Sequence, residues 1–271
     1  MHRIEGDTRI LSALTADWTS FSVDGDYACD HRMVLHGTTL LPVQGSVNGW
    51  VMEKKSDLFD VSYCIRSMPQ FRLVYGRGDA VDIYAENTDI HNFKIGAQYA
   101  LMLSMADCCV GLHGVTVVCG NQVLILSAPS GTGKTTLANL LCRYTHSAVV
   151  NGDFALLSVD KTGALTFEPT PFCGSSGISR NVRLHVDRIL FLEQAAENRL
   201  VPMSAREAYT HLMSNIFIPV WDMKLTGRIK EHVFHIVEHI PIDRYAFSPD
   251  PMAAELLYQY ININQTKENE T

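Results

Sequence analysis

A short apolar run, a glycine-containing loop and the start of a helix follow one another at residues 123–138. The sequence there is Val-Leu-Ile-Leu-Ser-Ala-Pro-Ser-Gly-Thr-Gly-Lys-Thr-Thr-Leu-Ala. Four consecutive apolar residues at 123–126 are typical of a buried strand, and the apolar residues of 136–142 are compatible with a helix. The order constrains this part of the chain to an α/β fold in which the loop joins a strand end to a helix start.

The loop has the residue types of a phosphate cradle. Gly131 and Gly133 allow tight turns that point backbone N–H groups inward, and the following helix adds its positive N-terminal end. Lys134 is expected to reach the β- and γ-phosphates, and the Thr135 hydroxyl to ligate Mg²⁺. We therefore predict that a nucleoside triphosphate binds at Ser130, Gly131, Thr132, Gly133, Lys134, Thr135 and Thr136, with Mg²⁺ at Thr135.

The loop departs from the pattern G-x-x-x-x-G-K-[ST] at its first position, which holds Ala128. An alanine fits there only if its φ is negative. The alternative is a surface turn that contains Gly-Lys-Thr by chance. The strand before the loop and the helix after it favour nucleotide binding.

Composition excludes several classes of function. The chain has 271 residues, 46% of them hydrophobic, and a formal net charge of −7 with no basic run, which argues against a nucleic-acid partner. The stretch 99–118 contains Ser104, Asp107 and His113, so it suits a buried helix followed by a strand better than a membrane span. Seven cysteines without a C-x-x-C pair, and an N-terminus without an apolar signal region, predict a cytoplasmic protein.

The sequence suggests two domains and a tail. Residues 71–84 alternate around a glycine turn, which predicts a hairpin in a small β-rich N-terminal domain at 1–92. The polar stretch 87–92 marks the boundary, and a helix at 95–109 is expected to lead into a nucleotide-binding domain at 93–262. Residues 263–271 are predicted to be a polar, frayed tail.

The elements after the loop helix predict a mixed, partly antiparallel sheet, because a hairpin stands where another crossover helix is usual. In chain order they are a hairpin at 154–167, a strand at 188–192, a helix with a Ser204–Glu207 capping box running to 217, a strand near 233–237 and a helix at about 251–260.

Three segments together resemble the catalytic domain of HPr kinase/phosphorylase. They are Leu-His-Gly-Val-Thr-Val-Val at 112–118, the loop itself, and Val-Val-Asn-Gly-Asp at 149–153. The loop is also similar to that of the related phosphoenolpyruvate carboxykinases. The resemblance covers roughly residues 110–260, and it implies the mixed kinase fold of that family and an ATP- and Mg²⁺-dependent serine kinase.

By this resemblance His113 matches the family's active-site histidine, Lys134 its loop lysine and Asp153 its catalytic aspartate, while Glu168 matches the magnesium-binding glutamate. The chain departs from the family where Gly152-Asp153 replaces two adjacent aspartates, and in the segment 171–177. In these departures the chain is more similar to relatives that are encoded together with ribosomally made peptides, including kinases of lasso precursors, than to enzymes that act on HPr.

The residue chemistry independently favours phosphorylation of a hydroxyl group. Asp153 follows an apolar strand and so is expected near the loop, where it can ligate Mg²⁺ and accept a proton; the alternative is a turn residue. His113 precedes a strand that is expected to pair with the loop strand, although, taken alone, a histidine at such a position is more often a packed or exposed bystander. Glu168 could share the metal or be a solvated strand-end residue.

Residues 170–183 combine small residues with Arg180 and Arg183, and could close over the site so that an arginine meets the transferred charge. A solvated surface loop is the alternative. The histidines 232, 235 and 239 suggest a metal, but residues 231–240 alternate as a strand would, which separates His232 from the other two. We therefore interpret these histidines as polar surface residues.

Three classes of function follow. The first is an ATP-dependent kinase acting on a serine of a peptide or protein, such as a ribosomal precursor peptide, with free serine or another small molecule as the alternative acceptor. The second is a carboxykinase-like enzyme, for which the chain is short. The third is a nucleotide-binding module without turnover, or a transport ATPase, whose Leu-Ser-Gly-Gly-Gln signature is absent. Self-association is left open.

Overall fold

The structure is a computed structural model that describes residues 2–16, 18–21, 31–76, 78, 80–87, 89–160 and 162–268. The chain divides into two compact units, residues 1–105 and 106–271. Each contains a mixed sheet with helices, so the α/β class predicted from the sequence is confirmed.

The first unit is a mixed sheet with strand order β1-β2-β6-β5-β4-β3. Pairs β1–β2 and β2–β6 are parallel, and the remaining pairs are antiparallel. The predicted hairpin at 71–84 is confirmed as β5–β6, although residues 77 and 79 of its turn lie outside the described residues. The elements are β1 (His2–Gly6), α1 (Thr8–Thr15), β2 (His31–Gly37), β3 (Gly49–Lys55), β4 (Leu58–Ile65), β5 (Met68–Tyr75), β6 (Ala80–Ala85) and α2 (Ile90–Met105).

Helix α2 corrects the predicted domain boundary. The sequence suggested a helix at 95–109 in the second domain, whereas α2 ends at Met105 and belongs to the first unit. Its packing explains the difference: α2 contacts β5 and β6, and Gly96 lies so close to the sheet that a Cβ there would come within 2.7 Å of Ile83. The apolar face of the helix therefore needs the first sheet.

The second unit is a larger mixed sheet with strand order β12-β11-β10-β7-β8-β13-β15-β14, with β9 also paired to β7. Strands β8, β13 and β15 are parallel, whereas β7 is antiparallel to β8, β9 and β10. Its elements are β7 (Cys109–Cys119), β8 (Gln122–Ser127), α3 (Lys134–Tyr144), β9 (Ser147–Asn151), β10 (Phe154–Val159), β11 (Leu165–Glu168), β12 (Leu184–His185), β13 (Arg188–Gln194), β14 (Arg199–Pro202), α4 (Ala205–Asn215), α5 (Met223–His239), β15 (Ile242–Phe247) and α6 (Pro251–Glu268).

Both faces of this sheet are covered. Leu124 and Leu126 of β8 belong to a core cluster with residues of α3 and α6, whereas Val123 and Ile125 belong to a cluster with residues of α4 and α5. A strand buried on both faces has no polar side to expose. This explains the continuous apolar run at 123–126, and the predicted hairpin β10–β11 and the Ser204–Glu207 capping box are also confirmed.

Helices α5 and α6 overturn two further predictions. Residues 233–237 are part of α5, not of a strand, because Ile229, Val233 and Ile236 are buried at helical spacing. Helix α6 continues to Glu268, so the predicted tail at 263–271 is helical up to that residue, and 269–271 lie outside the described residues. Among the described helices, none is long and apolar enough to cross a membrane.

The N-terminus of α5 is capped by the side chain of Asp222. Asp222 is buried and its Oδ1 accepts hydrogen bonds from the backbone N–H groups of Lys224 and Leu225, both at 3.1 Å. Asp222→Ala should lower the free energy of unfolding by about 1 kcal/mol, measured by urea denaturation followed by circular dichroism. Asp222→Asn keeps an accepting oxygen and should remain close to wild type; equal losses in both variants would contradict the capping role.

Candidate active site

The loop between β8 and α3 has the backbone geometry that the sequence predicts. Gly131 and Gly133 have φ values of 81° and 105°, which side-chain-bearing residues rarely adopt. A Cβ on Gly131 would meet nothing within 4 Å, so the backbone angle and not crowding requires glycine there. Ala128 is absent from the described residues with positive φ, which confirms the condition for alanine at the first loop position.

The first turn of α3 is open to an anion. Gly133 is the N-cap residue, so it has no side chain with which to accept a hydrogen bond from the first-turn N–H groups. Those groups carry the positive end of the helix dipole and need an acceptor from elsewhere. A phosphate group fits this end of the helix.

Lys134 lies inside the loop. Its Nζ donates a hydrogen bond to the carbonyl oxygen of Ala128 at 2.7 Å and lies 3.5 Å from that of Pro129. Only 8% of the residue is exposed. Burial lowers the pKa of the ammonium group, and the charge of Asp153 opposes that shift. The lysine is therefore held next to the loop backbone and within electrostatic reach of Asp153.

Strand β7 joins the loop to Asp153. Gly114 pairs with Ser127, the last residue of β8, and its N–H donates to the carbonyl oxygen of Asp153 at 2.9 Å. The neighbouring His113 pairs with Phe154 of β10, and its carbonyl oxygen accepts from Ser127 Oγ at 2.8 Å. These bonds bring together the end of β8 that carries the loop, the middle of β7 at His113, and Asp153 before the start of β10.

His113 and Asp153 form a pair at this junction. The distance from His113 Nδ1 to Asp153 Oδ1 is 3.5 Å, longer than a direct hydrogen bond, and both side chains are partly exposed. Burial lowers the pKa of His113, the charge of Lys134 lowers it further, and Asp153 opposes both effects. The imidazole is thus biased towards its neutral form, beside a carboxylate that can accept a proton or ligate a cation.

Asn151 supports Asp153, a role that the sequence interpretation missed. The side chain is fully buried. Its Oδ1 accepts from the backbone N–H groups of Asp153 and Phe154 at 3.1 and 3.0 Å, and its Nδ2 donates to the carbonyl oxygen of Phe172 at 2.8 Å. A polar residue directly after the apolar run 148–150 is the signal in the sequence that could have found this role.

The segment predicted to be a closing loop is attached to this site. Gly152 N donates to Ile178 O, and Arg180 N donates to Val150 O, both at 3.0 Å, so residues 178–180 extend the edge of β9. Gly174 has a φ of 56°, and a Cβ there would come within 2.6 Å of the Asp153 carboxyl carbon. The segment therefore forms a wall against Asp153.

The side chains of two predicted site residues bind other partners. Arg180 donates through Nε to the carbonyl oxygen of Val149 at 3.1 Å. Glu168 pairs with Leu156 of β10, three residues beyond Asp153, which is about 10 Å along a strand. Its carboxylate accepts from Ser158 Oγ at 2.8 Å and forms an ion pair with Arg183 at 2.7 Å. The geometry does not bring Glu168 to Asp153.

The remaining loop residues keep their predicted positions beside Lys134. Ser130, Thr135 and Thr136 are exposed, and Thr132 is half-buried, with its carbonyl oxygen 3.3 Å from Gln194 Nε2. The Thr135 hydroxyl is at the start of α3 and free of the core, so its proposed role as a magnesium ligand stays a prediction. An exposed polar rim around a buried lysine is compatible with a bound triphosphate.

Comparisons with known proteins add little to this geometry. No family model matches the chain, and no curated protein matches it. The matching solved structures include the HPr(Ser) kinase/phosphatase from Coxiella burnetii, at 10% sequence identity and a TM-score of 0.35, covering 59% of this chain and 93% of that one.

The His113 pKa tests whether the three charged groups share one site. We expect it to lie below the ordinary 6.5, to fall further in Asp153→Asn, which removes the opposite charge, and to rise in Lys134→Ala. Titration of the His113 ring signals by NMR measures each value. Glu255→Gln, an exposed carboxylate on α6, is the control. An unchanged His113 pKa in both site variants would show that the groups do not interact.

Proposed function

We propose that this chain is an ATP- and Mg²⁺-dependent kinase that transfers the γ-phosphoryl group to a serine hydroxyl of a peptide or protein. The observation that carries the proposal is the His113–Asp153 pair, held by backbone hydrogen bonds at the mouth of a loop with a buried lysine. A general base beside a phosphate cradle is the minimum that transfer to a hydroxyl requires.

The residues fit the nucleotide and the metal. The uncapped start of α3 and the left-handed Gly131 and Gly133 leave inward backbone N–H groups for phosphate oxygens. Lys134 would exchange its bonds to loop carbonyls for the β- and γ-phosphates. Thr135 and Asp153 would hold Mg²⁺, and the bound magnesium nucleotide would supply the activated phosphoryl group.

Asp153 has a single carboxylate for two tasks. One oxygen would ligate the metal and the other would accept the proton of the incoming serine hydroxyl. His113, whose lowered pKa favours the neutral ring, lies 3.5 Å from that carboxylate and would add little positive charge beside it. Asn151 and the wall at Gly174 restrict the position of Asp153 from the other side, which supports positioning as the main source of rate.

The peptide acceptor is supported by the small residues beside Asp153. The segment 174–177 is Gly-Ser-Ser-Gly, and the position of a Cβ at Gly177 has nothing within 4 Å, which leaves room for a chain that presents a serine. The resemblance of the motifs to kinases of ribosomal precursor peptides agrees with such an acceptor. We propose a peptide of that class as the substrate.

Intact-mass analysis tests the proposal. Candidate precursor peptides, HPr and free serine are incubated with ATP and Mg²⁺, and we expect one phosphoryl group on a serine of a peptide. Phosphorylation of free serine alone would show that the acceptor is a small molecule and not a peptide. Tight ATP binding with no phosphorylated product from any acceptor would favour a nucleotide-binding module.

Two variants separate binding from transfer. Lys134→Ala should weaken ATP binding measured by calorimetry, because the phosphates lose their buried cation. Asp153→Asn should keep ATP binding but lower the transfer rate by about 100-fold or more, because the proton acceptor is lost. If Asp153→Asn instead weakens ATP binding as much as Lys134→Ala does, Asp153 is a metal ligand and not the base.

Two glycines with similar backbone angles provide a matched pair. Gly174 and Gly177 have φ values of 56° and 66°, so alanine strains the backbone similarly at both. Only at Gly174 would the new methyl group press on Asp153. Gly174→Ala should therefore lose transfer with ATP binding retained, and Gly177→Ala should stay near wild type. An equal loss of transfer in both variants would show that backbone strain, and not contact with Asp153, causes the loss.

A further inference from the structure

The last turns of α5 bring metal-binding side chains together. His235 and His239 are four residues apart and Glu238 lies between them, so the helix places the three on neighbouring positions of its surface. Each offers a ligand atom, and these atoms lie within 4.8 Å of one another. As a strand, 231–240 would place His235 and His239 on one face and Glu238 on the other, whereas the helix brings all three together.

Hydrogen bonding prepares one histidine as a ligand. His239 Nδ1 lies 2.9 Å from the carbonyl oxygen of His235, an acceptor only, so Nδ1 carries the proton and Nε2 keeps its lone pair. Metal-binding histidines usually donate their second nitrogen to such an oxygen. His235 Nδ1 lies 3.8 Å from Glu238 Oε2, which adds a carboxylate beside the second ring.

The donor set selects the type of ion. Two imidazoles with one carboxylate suit Zn²⁺, Ni²⁺ or Cu²⁺, whereas Mg²⁺ prefers oxygen ligands. Ligands about 2.1 Å from one ion can be at most about 4.2 Å apart, so small rotations would close the 4.8 Å spread. All three side chains are exposed, and because the hydrogen bond to His235 holds His239, the rotation would come from His235 and Glu238.

An open cavity of about 330 Å³ adjoins the cluster. His239 contributes to its lining, together with His185, Asp187 and the turn at residues 162–164. Gly163 in that turn has a φ of 87°, and a Cβ there would come within 2.3 Å of the His239 ring. Glycine at position 163 therefore leaves room for the His239 ring. Water in the cavity can complete the coordination of an ion.

We propose that His235, Glu238 and His239 bind one divalent transition-metal ion, with water in the remaining positions. The site shares no residue with the nucleotide loop and does not depend on the kinase proposal. Its three ligands come from a single helix, so the ion stabilises the end of α5 in the folded chain.

Calorimetric titration of the full chain with Ni²⁺, repeated with Zn²⁺, tests the site. We expect one ion to bind, and either His235→Ala or His239→Ala to weaken it at least about tenfold, since even outer-shell partners of metal ligands are worth that much. Glu238→Gln should weaken it less. His146→Ala, an exposed histidine outside the cluster, should bind as wild type does.

The melting temperature distinguishes metal binding at this site from metal binding by other side chains of the chain. Ni²⁺ should raise the melting temperature of wild type and of His146→Ala, and should not raise it in His235→Ala or His239→Ala. Exposed helical positions tolerate alanine, so these variants should fold. Unchanged affinity in both cluster variants, or an equal loss in His146→Ala, would overturn the proposal.

Discussion

The candidate site depends on the change of partners along β7. The first half of this strand pairs with β10, and the second half pairs with β8 on one side and β9 on the other. The change occurs at His113 and Gly114, whose backbone groups bond Ser127 Oγ and Asp153 O. Because sheet hydrogen bonds fix backbone positions closely, the sheet sets the distance between the loop and the backbone of Asp153.

Much of this arrangement can be predicted from local sequence. The apolar run 123–126, the glycines of the loop and the capping box at Ser204 each specify their own structure, and each is found as expected. The local sequence pattern does not specify which distant residues come into contact. It therefore could not predict the hydrogen bond from Asn151 to Phe172 or the ion pair between Glu168 and Arg183. Those contacts decide which predicted ligands reach the site.

Helix α5 shows how an alternating hydrophobic pattern can lead to a wrong strand prediction for a helical segment. Residues 231–240 alternate well enough to suggest a strand, yet Ile229, Val233, Ile236 and Ile240 are spaced by three and four residues, as on one helix face. Asp222 then caps the helix. A longer window would have favoured the helix, and with it the proximity of His235 and His239. The misassigned α2 boundary has another cause, since the sheet on which the helix packs is not a local property.

The proposed function requires that a triphosphate in the loop presents its γ-phosphate to Asp153. A crystal structure with a nonhydrolysable ATP analogue and Mg²⁺ tests it most directly. We expect Lys134 Nζ to leave the carbonyl oxygen of Ala128 for the β- and γ-phosphates, with Mg²⁺ between the γ-phosphate and Asp153. Phosphates bound with Lys134 still on Ala128, or with Mg²⁺ away from Asp153, would contradict it.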